Sequence, residues 1–426
     1  MTITFLLFGS LIVFLAFGFP ISVAIGLATL LGFVSCDVSL AQMVQKMTAS
    51  VNSFTILAIP FFMLAGALME GGGMSRRLVR FANALVCWLP GGLSHVQVLA
   101  SCFFAALSGS APATTAAIGA TMIPEMKAKG YPPEFAAAVQ SVAGTVGPII
   151  PPSIPMVIFG VFAGQSIGKL FAAGVVPGLL YGLSFMVVIS ISARKHNYGY
   201  TQPFNAKEVW LSFKEAVWAL LVPIIILGGT YSGVFTPTEA GAVAVVYGVL
   251  AGRFIYKELD LRKIGAILAS AGVTTAMVLM ILAASSAFSW LMTSQGVARL
   301  VGGWFSSIAT GQTAFLMLVI MLLLFLGCFM ETIACLLIVC PILLPVAQSL
   351  GIDLVHFGIV MIMTLCLGMA TPPVGECLYI AAGIAGVKFE QLLKHVWPLV
   401  IAAVFVILLV AVFPQLTLFL PGLLYS

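Results

Sequence analysis

Two stretches rich in glycine and proline interrupt otherwise apolar sequence, and chemistry is best sought there. The first, over 144–155, reads Gly-Thr-Val-Gly-Pro-Ile-Ile-Pro-Pro-Ser-Ile-Pro, and the second, over 368–375, reads Gly-Met-Ala-Thr-Pro-Pro-Val-Gly. An interior proline removes a helical hydrogen bond and clashes with the preceding turn, so neither stretch sustains a continuous helix. Within a bilayer, freed backbone groups are tolerated only where they line a protein cavity. Upstream of each break lies a companion. Residues 107–115 read Leu-Ser-Gly-Ser-Ala-Pro-Ala-Thr-Thr, and residues 327–332 read Gly-Cys-Phe-Met-Glu-Thr. Each reads as the tip of a re-entrant hairpin, with flanking apolar runs too short to span without a turn.

Hydroxyl, carboxylate and carbonyl oxygens are hard ligands suited to a small cation such as Na⁺. The N-termini of half-helices offer partial positive charge to an anionic group. The expected ion-binding set is Ser108, Ser110, Gly144, Gly147, Gly327, Glu331, Thr332, Gly368 and Thr371. The expected substrate-binding set is Ser108, Ser110, Thr114, Pro151, Pro152, Ser153, Pro372, Pro373 and Gly375. Close helix packing by small residues is the alternative role for Ser108 and Ser110. Glu331 either ligates a cation or orients the tip backbone. Glu239, in Phe-Thr-Pro-Thr-Glu-Ala-Gly (235–241), is a structural or gating acid, with helix capping the plainer role. Glu376 is a weaker candidate at a water-filled vestibule, and the isolated Arg299 suits an interfacial anchor.

The elements that must position these residues are membrane helices. Of 426 residues, 62% are apolar and 7% charged, against about 45–50% and about 25% in soluble domains; mean hydropathy is +1.18. The apolar runs are continuous rather than alternating, which selects helices over a barrel, with room for roughly ten to twelve crossings of about 20 residues each. This composition excludes most soluble enzymes, and nucleic-acid binders are excluded as well, since the bases sit in short separated loops rather than one patch. No base precedes Lys46, so residues 3–34 read as membrane-embedded rather than as a signal peptide. The eight cysteines show no C-x-x-C spacing and read as buried thiols without a disulfide or metal role. No H-E-x-x-H and no phosphate-binding loop occurs, so neither a zinc protease nor ATP hydrolysis on this chain is expected, and no cofactor beyond Na⁺.

One internal offset stands out. Pro124 pairs with Pro345, Gly130 with Gly351, Gly147 with Gly368, Pro151-Pro152 with Pro372-Pro373 and Pro177 with Pro398, always 221 positions apart. Glycine and proline set backbone geometry, so their agreement is agreement in breaks and turns. Loop 127–130 is basic, whereas its counterpart 348–353 carries one acid and no base. Opposite charge bias places the two loops on opposite sides of the membrane, which is the inverted-topology repeat of secondary transporters. The expected divisions are N-terminal scaffold segments over 1–50, a first repeat over 51–194, a polar linker with a connecting membrane hairpin over 195–264, and a second repeat over 265–426. The fold class is thus all-α and polytopic, with inverted repeats, two re-entrant hairpins and two broken helices.

The sequence resembles the large membrane subunit of tripartite ATP-independent periplasmic (TRAP) transporters over nearly its whole length. The resemblance rests on Ile59-Pro60-Phe61-Phe62 with Ala65-Gly66, Leu107-Ser108-Gly109-Ser110, Ile149-Ile150-Pro151-Pro152-Ser153, Phe235-Thr236-Pro237-Thr238-Glu239-Ala240-Gly241 and Thr371-Pro372-Pro373-Val374-Gly375. It implies an elevator mechanism, Na⁺ coupling, a periplasmic binding protein that delivers substrate, and a small membrane subunit of about four helices as a separate chain. It also implies a bacterial inner-membrane location and an organic acid as substrate, such as a C4-dicarboxylate, a keto acid or sialic acid. Two departures stand out: no acid lies near Thr114, and Glu331 stands where family members often carry Asp. The rival readings are a stand-alone Na⁺/carboxylate carrier and, more remotely, an intramembrane hydrolase with Ser108 or Ser110 as nucleophile and His95 as base.

Overall fold

The computed structural model describes residues 2–196, 201–296 and 311–425, and Arg299 lies outside them. Among the described residues every regular element is helical. The chain opens with α1 (Thr2–Ala16), α2 (Ile21–Ser35) and the short α3 (Leu40–Val51). Then come α4 (Ala58–Gly71), α5 (Met74–Val86), α6 (Gly92–Ser108), α7 (Ala111–Ala128), α8 (Pro133–Gly144), α9 (Ile154–Ala163) and α10 (Ile167–His196). The connecting hairpin is α11 (Ala206–Tyr231) and α12 (Pro237–Leu250), closed by a π turn at Ala251–Ile255. After it come α13 (Leu261–Ser294), α14 (Gln312–Gly327), α15 (Thr332–Ser349), α16 (Leu354–Gly368), α17 (Glu376–Ala385), α18 (Phe389–Val412) and α19 (Gln415–Leu424).

The 221-residue interval recurs in the helix boundaries. α7 and α15 coincide under it at both ends, and α6, α8, α9 and α10 begin within one residue of their counterparts α14, α16, α17 and α18. Among the described residues, seven helices are long and apolar enough to cross a bilayer. The others include α6, α9, α14, α16 and α17, of 10–17 residues. At 1.5 Å per residue these fall short of a hydrocarbon core about 30 Å thick. None spans alone: α6 and α14 are first limbs of hairpins that return to the side they enter, and α8–α9 and α16–α17 are the halves of the two broken helices.

The two repeats interlock. Every residue of α8 from Phe135 to Gly144 and of α16 from Val355 to Gly368 is buried. α8 packs against α17 and α18, and α9 against α15 and α16, so each broken helix is enclosed by the other repeat. Gly358 permits this at one crossing, because a Cβ there would collide with the Phe159 ring. A smaller core, built on Leu7, Ala28, Phe33, Ala284 and Phe288, joins α1 and α2 to the far half of α13.

Candidate functional site

The first hairpin tip is a two-residue turn. Gly109 ends α6 at φ 60°, and Ser110 caps α7, its hydroxyl accepting from the Ala113 N–H. A Cβ on Gly109 would lie 3.0 Å from the Pro152 carbonyl oxygen and 3.1 Å from the Ile154 nitrogen, so the tip abuts the first break directly. The Thr114 hydroxyl donates to the Ser110 carbonyl at 2.7 Å and lies 2.9 Å from Ser108 Oγ. Behind it, Gly147 allows the end of the α8 segment to touch the tip; a Cβ there would stand 2.6 Å from the Ser110 carbonyl oxygen. Gly144 packs against Thr115 in the same way.

The second tip solves the same problem with different residues. Glu331 caps α15, Oε2 accepting from the N–H groups of Ile333 (3.0 Å) and Ala334 (3.2 Å). Thr332 donates to Met369 Sδ at 3.0 Å. Gly327 and Gly368 meet backbone to backbone, and a Cβ on Gly368 would fall 2.6 Å from Gly327 Cα. Gly375, at φ 65°, donates its N–H to the Cys328 carbonyl at 3.0 Å. Both Pro151-Pro152 and Pro372-Pro373 are cis.

The two tips converge on one cavity of about 560 Å³. Its inner lining is Ser108 to Ala113 from the first tip, Glu331 to Ala334 from the second, with Pro148, Ile154, Pro155, Met369 and Glu376 from the breaks and the half-helices after them. The rest of its lining is Ile21 with one face of α4 (Met63, Gly66, Ala67, Glu70) and one face of α13 (Ser270, Ala271, Thr274, Met277, Val278, Ile281). Those spacings are helical stripes of three and four residues. The starts of α7, α9, α15 and α17 all reach the lining, and a helix N-terminus carries partial positive charge. Among the described residues lining it there is no Lys, Arg or His.

Of the residues expected from sequence, Ser108, Ser110, Glu331 and Thr332 are on the cavity lining. Thr114, Gly144, Gly147, Pro151, Pro152, Ser153, Gly327, Gly368, Thr371, Pro372, Pro373 and Gly375 are not on it; Pro373 is exposed, Thr371 and Pro372 are half-buried, and the others are buried in the packing around the tips and breaks. Ser153 is 1% exposed and its hydroxyl is fully engaged, donating to the Pro148 carbonyl and accepting from the Met156 N–H as the cap of α9. Thr371 donates to the Leu367 carbonyl at 2.7 Å. Glu239 is exposed and forms a capping box with Thr236 at the start of α12, away from the cavity. The carboxylate that sequence reading missed is Glu70, which closes an apolar run before Gly71-Gly72-Gly73 and is on the cavity lining. An acid directly before a glycine run was the available signal. His95 lies 3.0 Å from the Pro90 carbonyl and 3.2 Å from Ser190 Oγ, and no bond joins it to either hairpin-tip serine.

A helical membrane protein whose inverted repeats bring two hairpin tips over one cavity is a secondary transporter. Residues 8–416 match the family described as the tripartite ATP-independent periplasmic transporter, DctM component, and the chain belongs to that family. It is 42% identical over 418 residues to the isethionate TRAP transporter permease protein DctMQ of Oleidesulfovibrio alaskensis, covering 98% of this chain and 66% of that longer protein. It is 39% identical over 434 residues to the C4-dicarboxylate TRAP transporter large permease protein DctM of Rhodobacter capsulatus, covering 98% and 99%. Its fold is similar to that of the YdaH transporter of Alcanivorax borkumensis, with a TM-score of 0.61 and 13% identity over 88% of this chain and 89% of that one. The chain is an inner-membrane permease subunit rather than an enzyme.

Proposed function

We propose that this subunit carries out Na⁺-coupled uptake of an organic acid handed over by a periplasmic binding protein, by an elevator movement. The supporting observation is the meeting of both hairpin tips in one cavity against the continuous wall of α4 and α13. In this reading α6–α9 and α14–α17 travel together, while α1–α4 and α11–α13 form the scaffold that a separate small membrane subunit extends. Carbonyls freed at the tips and breaks, with the Ser110 and Thr332 hydroxyls and the Glu331 carboxylate, supply the oxygen ligands a Na⁺ needs. The substrate anion finds no basic side chain on the lining, so bound Na⁺ and the four helix N-termini must balance its charge. The relatives named for isethionate and for C4-dicarboxylates bracket the kind of solute expected.

The cavity also has a direction. The α4 stripe ends at Glu70, six and seven residues before Arg76 and Arg77, and α13 begins within the basic segment 253–263. Basic loops mark the cytoplasmic side, so the mouth faces inward. On the other side Ile338 and Ile342 of α15 pack into the α1–α2–α13 core. This reading is of an inward-open state.

The test is uptake of radiolabelled isethionate, succinate and sialic acid into proteoliposomes holding this chain and its small subunit. Na⁺ gradient and binding protein are each present or absent. Uptake that requires both supports the reading. Uptake of free substrate without the binding protein would replace it with a stand-alone carrier.

A further inference from the structure

Away from the transport cavity, a groove of about 750 Å³ lies on the basic side, between the π turn Ala251–Ile255, the loop leading to α13, and the start of α5. We propose that this groove binds the phosphoryl headgroup of an anionic phospholipid of the inner leaflet.

Arg76, Arg253, Lys257 and Lys263 line it, with Glu258 and Asp260. Both acids are already committed. Glu258 pairs with Arg77 at 2.8 Å and Arg76 at 3.4 Å, and Asp260 caps α13 by accepting from the Lys263 N–H at 2.7 Å. Arg253 and Lys263 are steered by carbonyls, of Leu259 (3.3 Å) and Glu258 (3.0 Å) respectively. The Lys257 side chain is exposed and has no hydrogen-bond or ionic partner among the described residues. Its backbone sits at φ 57°, one of two non-glycine residues in the left-handed region among the described residues. Such conformations persist where the surroundings over-determine them. Here Tyr256, Glu258 and Leu259 all donate N–H groups back to Ala251 or Gly252, which holds Lys257 at the crest of the loop.

The position selects a lipid. The groove joins the ends of two candidate spans, Pro237–Ile255 and Leu261–Ser294. Phe254 and Leu261, 63% and 72% exposed, flank it. A headgroup in the groove would therefore leave its acyl chains against apolar side chains, whereas a soluble phosphoester would leave those side chains unused. Basic pockets on the cytoplasmic side of membrane helices are suited to anionic headgroups.

Native mass spectrometry of the chain with its small subunit, equilibrated with equal phosphatidylglycerol and phosphatidylcholine, tests this. Phosphatidylglycerol should be retained several-fold over phosphatidylcholine, and the ratio should fall to about one in the Lys257→Gln/Lys263→Gln double variant. Lys257→Gly keeps the left-handed turn while removing the charge, so it should lower the ratio without lowering the melting temperature. Equal retention by the wild type, or an unchanged ratio in the variants, overturns the proposal. Two further arms bear on the ligand's source. If glycerol phosphate raises the melting temperature in phosphatidylcholine nanodiscs as much as phosphatidylglycerol nanodiscs do, the groove is a site for a soluble phosphoester. If the preference is present in the isolated chain and lost on adding the small subunit, a protein partner occupies the groove.

Discussion

Ser110 and Glu331 hold the same station in the two repeats: each is the N-cap of its hairpin's second limb, and each faces the shared cavity. One cap is a neutral hydroxyl and the other a carboxylate that binds two backbone N–H groups through a single oxygen. The site is thus nearly symmetric in backbone and asymmetric in charge.

That asymmetry separates two roles for Glu331. Glu331→Gln keeps an acceptor oxygen for the cap and removes the charge. If the charge serves the coupling ion, this variant should raise the Na⁺ concentration needed for half-maximal uptake at least tenfold while melting within a few degrees of wild type. Glu331→Ala should in addition lose about 1 kcal/mol of helix capping. Uptake against Na⁺ concentration, alongside thermal unfolding, reads both. An unchanged Na⁺ dependence in Glu331→Gln would reduce the residue to a cap.

Gly147 and Gly368 allow each break to lie against a hairpin tip, with no room for a methyl group. Gly147→Ala and Gly368→Ala should each cost about 1–3 kcal/mol from overpacking and lower the transport rate severely. Gly265→Ala, where a Cβ meets nothing within 4 Å, should be neutral or slightly stabilising. Thermal melts and uptake on the three variants check the contrast.

Ser153→Ala removes the cap of α9 and should destabilise the protein by about 0.5–2 kcal/mol. Because Ser153 is buried behind the lining, the concentration of substrate giving half-maximal uptake should stay within twofold of wild type. A large change in that value with normal stability would place Ser153 at the substrate after all.

Cysteines introduced at Ala128 and Ser349, at the ends of α7 and α15, should label from opposite faces in oriented vesicles with a membrane-impermeant maleimide. Labelling from one face would make the repeats parallel and remove the basis for an elevator.

Arg80 forks between Glu208 (2.9 Å) and Glu215 (2.6 Å), linking α5 to α11, and these hydrogen bonds raise its already high pKa. The group therefore stays charged throughout the working pH range. Exposed pairs contribute only about 0.2–1 kcal/mol each, so Arg80→Gln should lower the melting temperature slightly, and less so at high salt. A salt-independent loss would point to packing instead of charge.

Much of this arrangement was legible in the sequence because glycine and proline act locally. The hairpin turn at Gly109, the breaks after Gly144 and Gly368 and the 221-residue interval all follow from residues that constrain their own backbone. The outer wall of the cavity was not legible. Met63, Gly66 and Ala67 of α4 and Met277, Val278 and Ile281 of α13 are chemically like lipid-facing residues. Only long-range packing between segments some 200 positions apart makes them a wall. Ser153 misleads for the opposite reason, whereas Glu239 takes the helix-capping role that was the plainer of its two readings. Polar side chains beside a break or within apolar sequence suggest a ligand, yet a helix start at the same place has its own claim on them.

Gly66 has a consequence for motion. A Cβ there would stand 3.2 Å from Ser108 Cα and from the Leu107 carbonyl oxygen, so the first tip rests on α4 with no side chain between them. If one body glides over the other, α4 is its rail, planed flat where the tip crosses. A single added methyl group would be a burr on that rail, able to arrest the stroke while leaving both bodies folded.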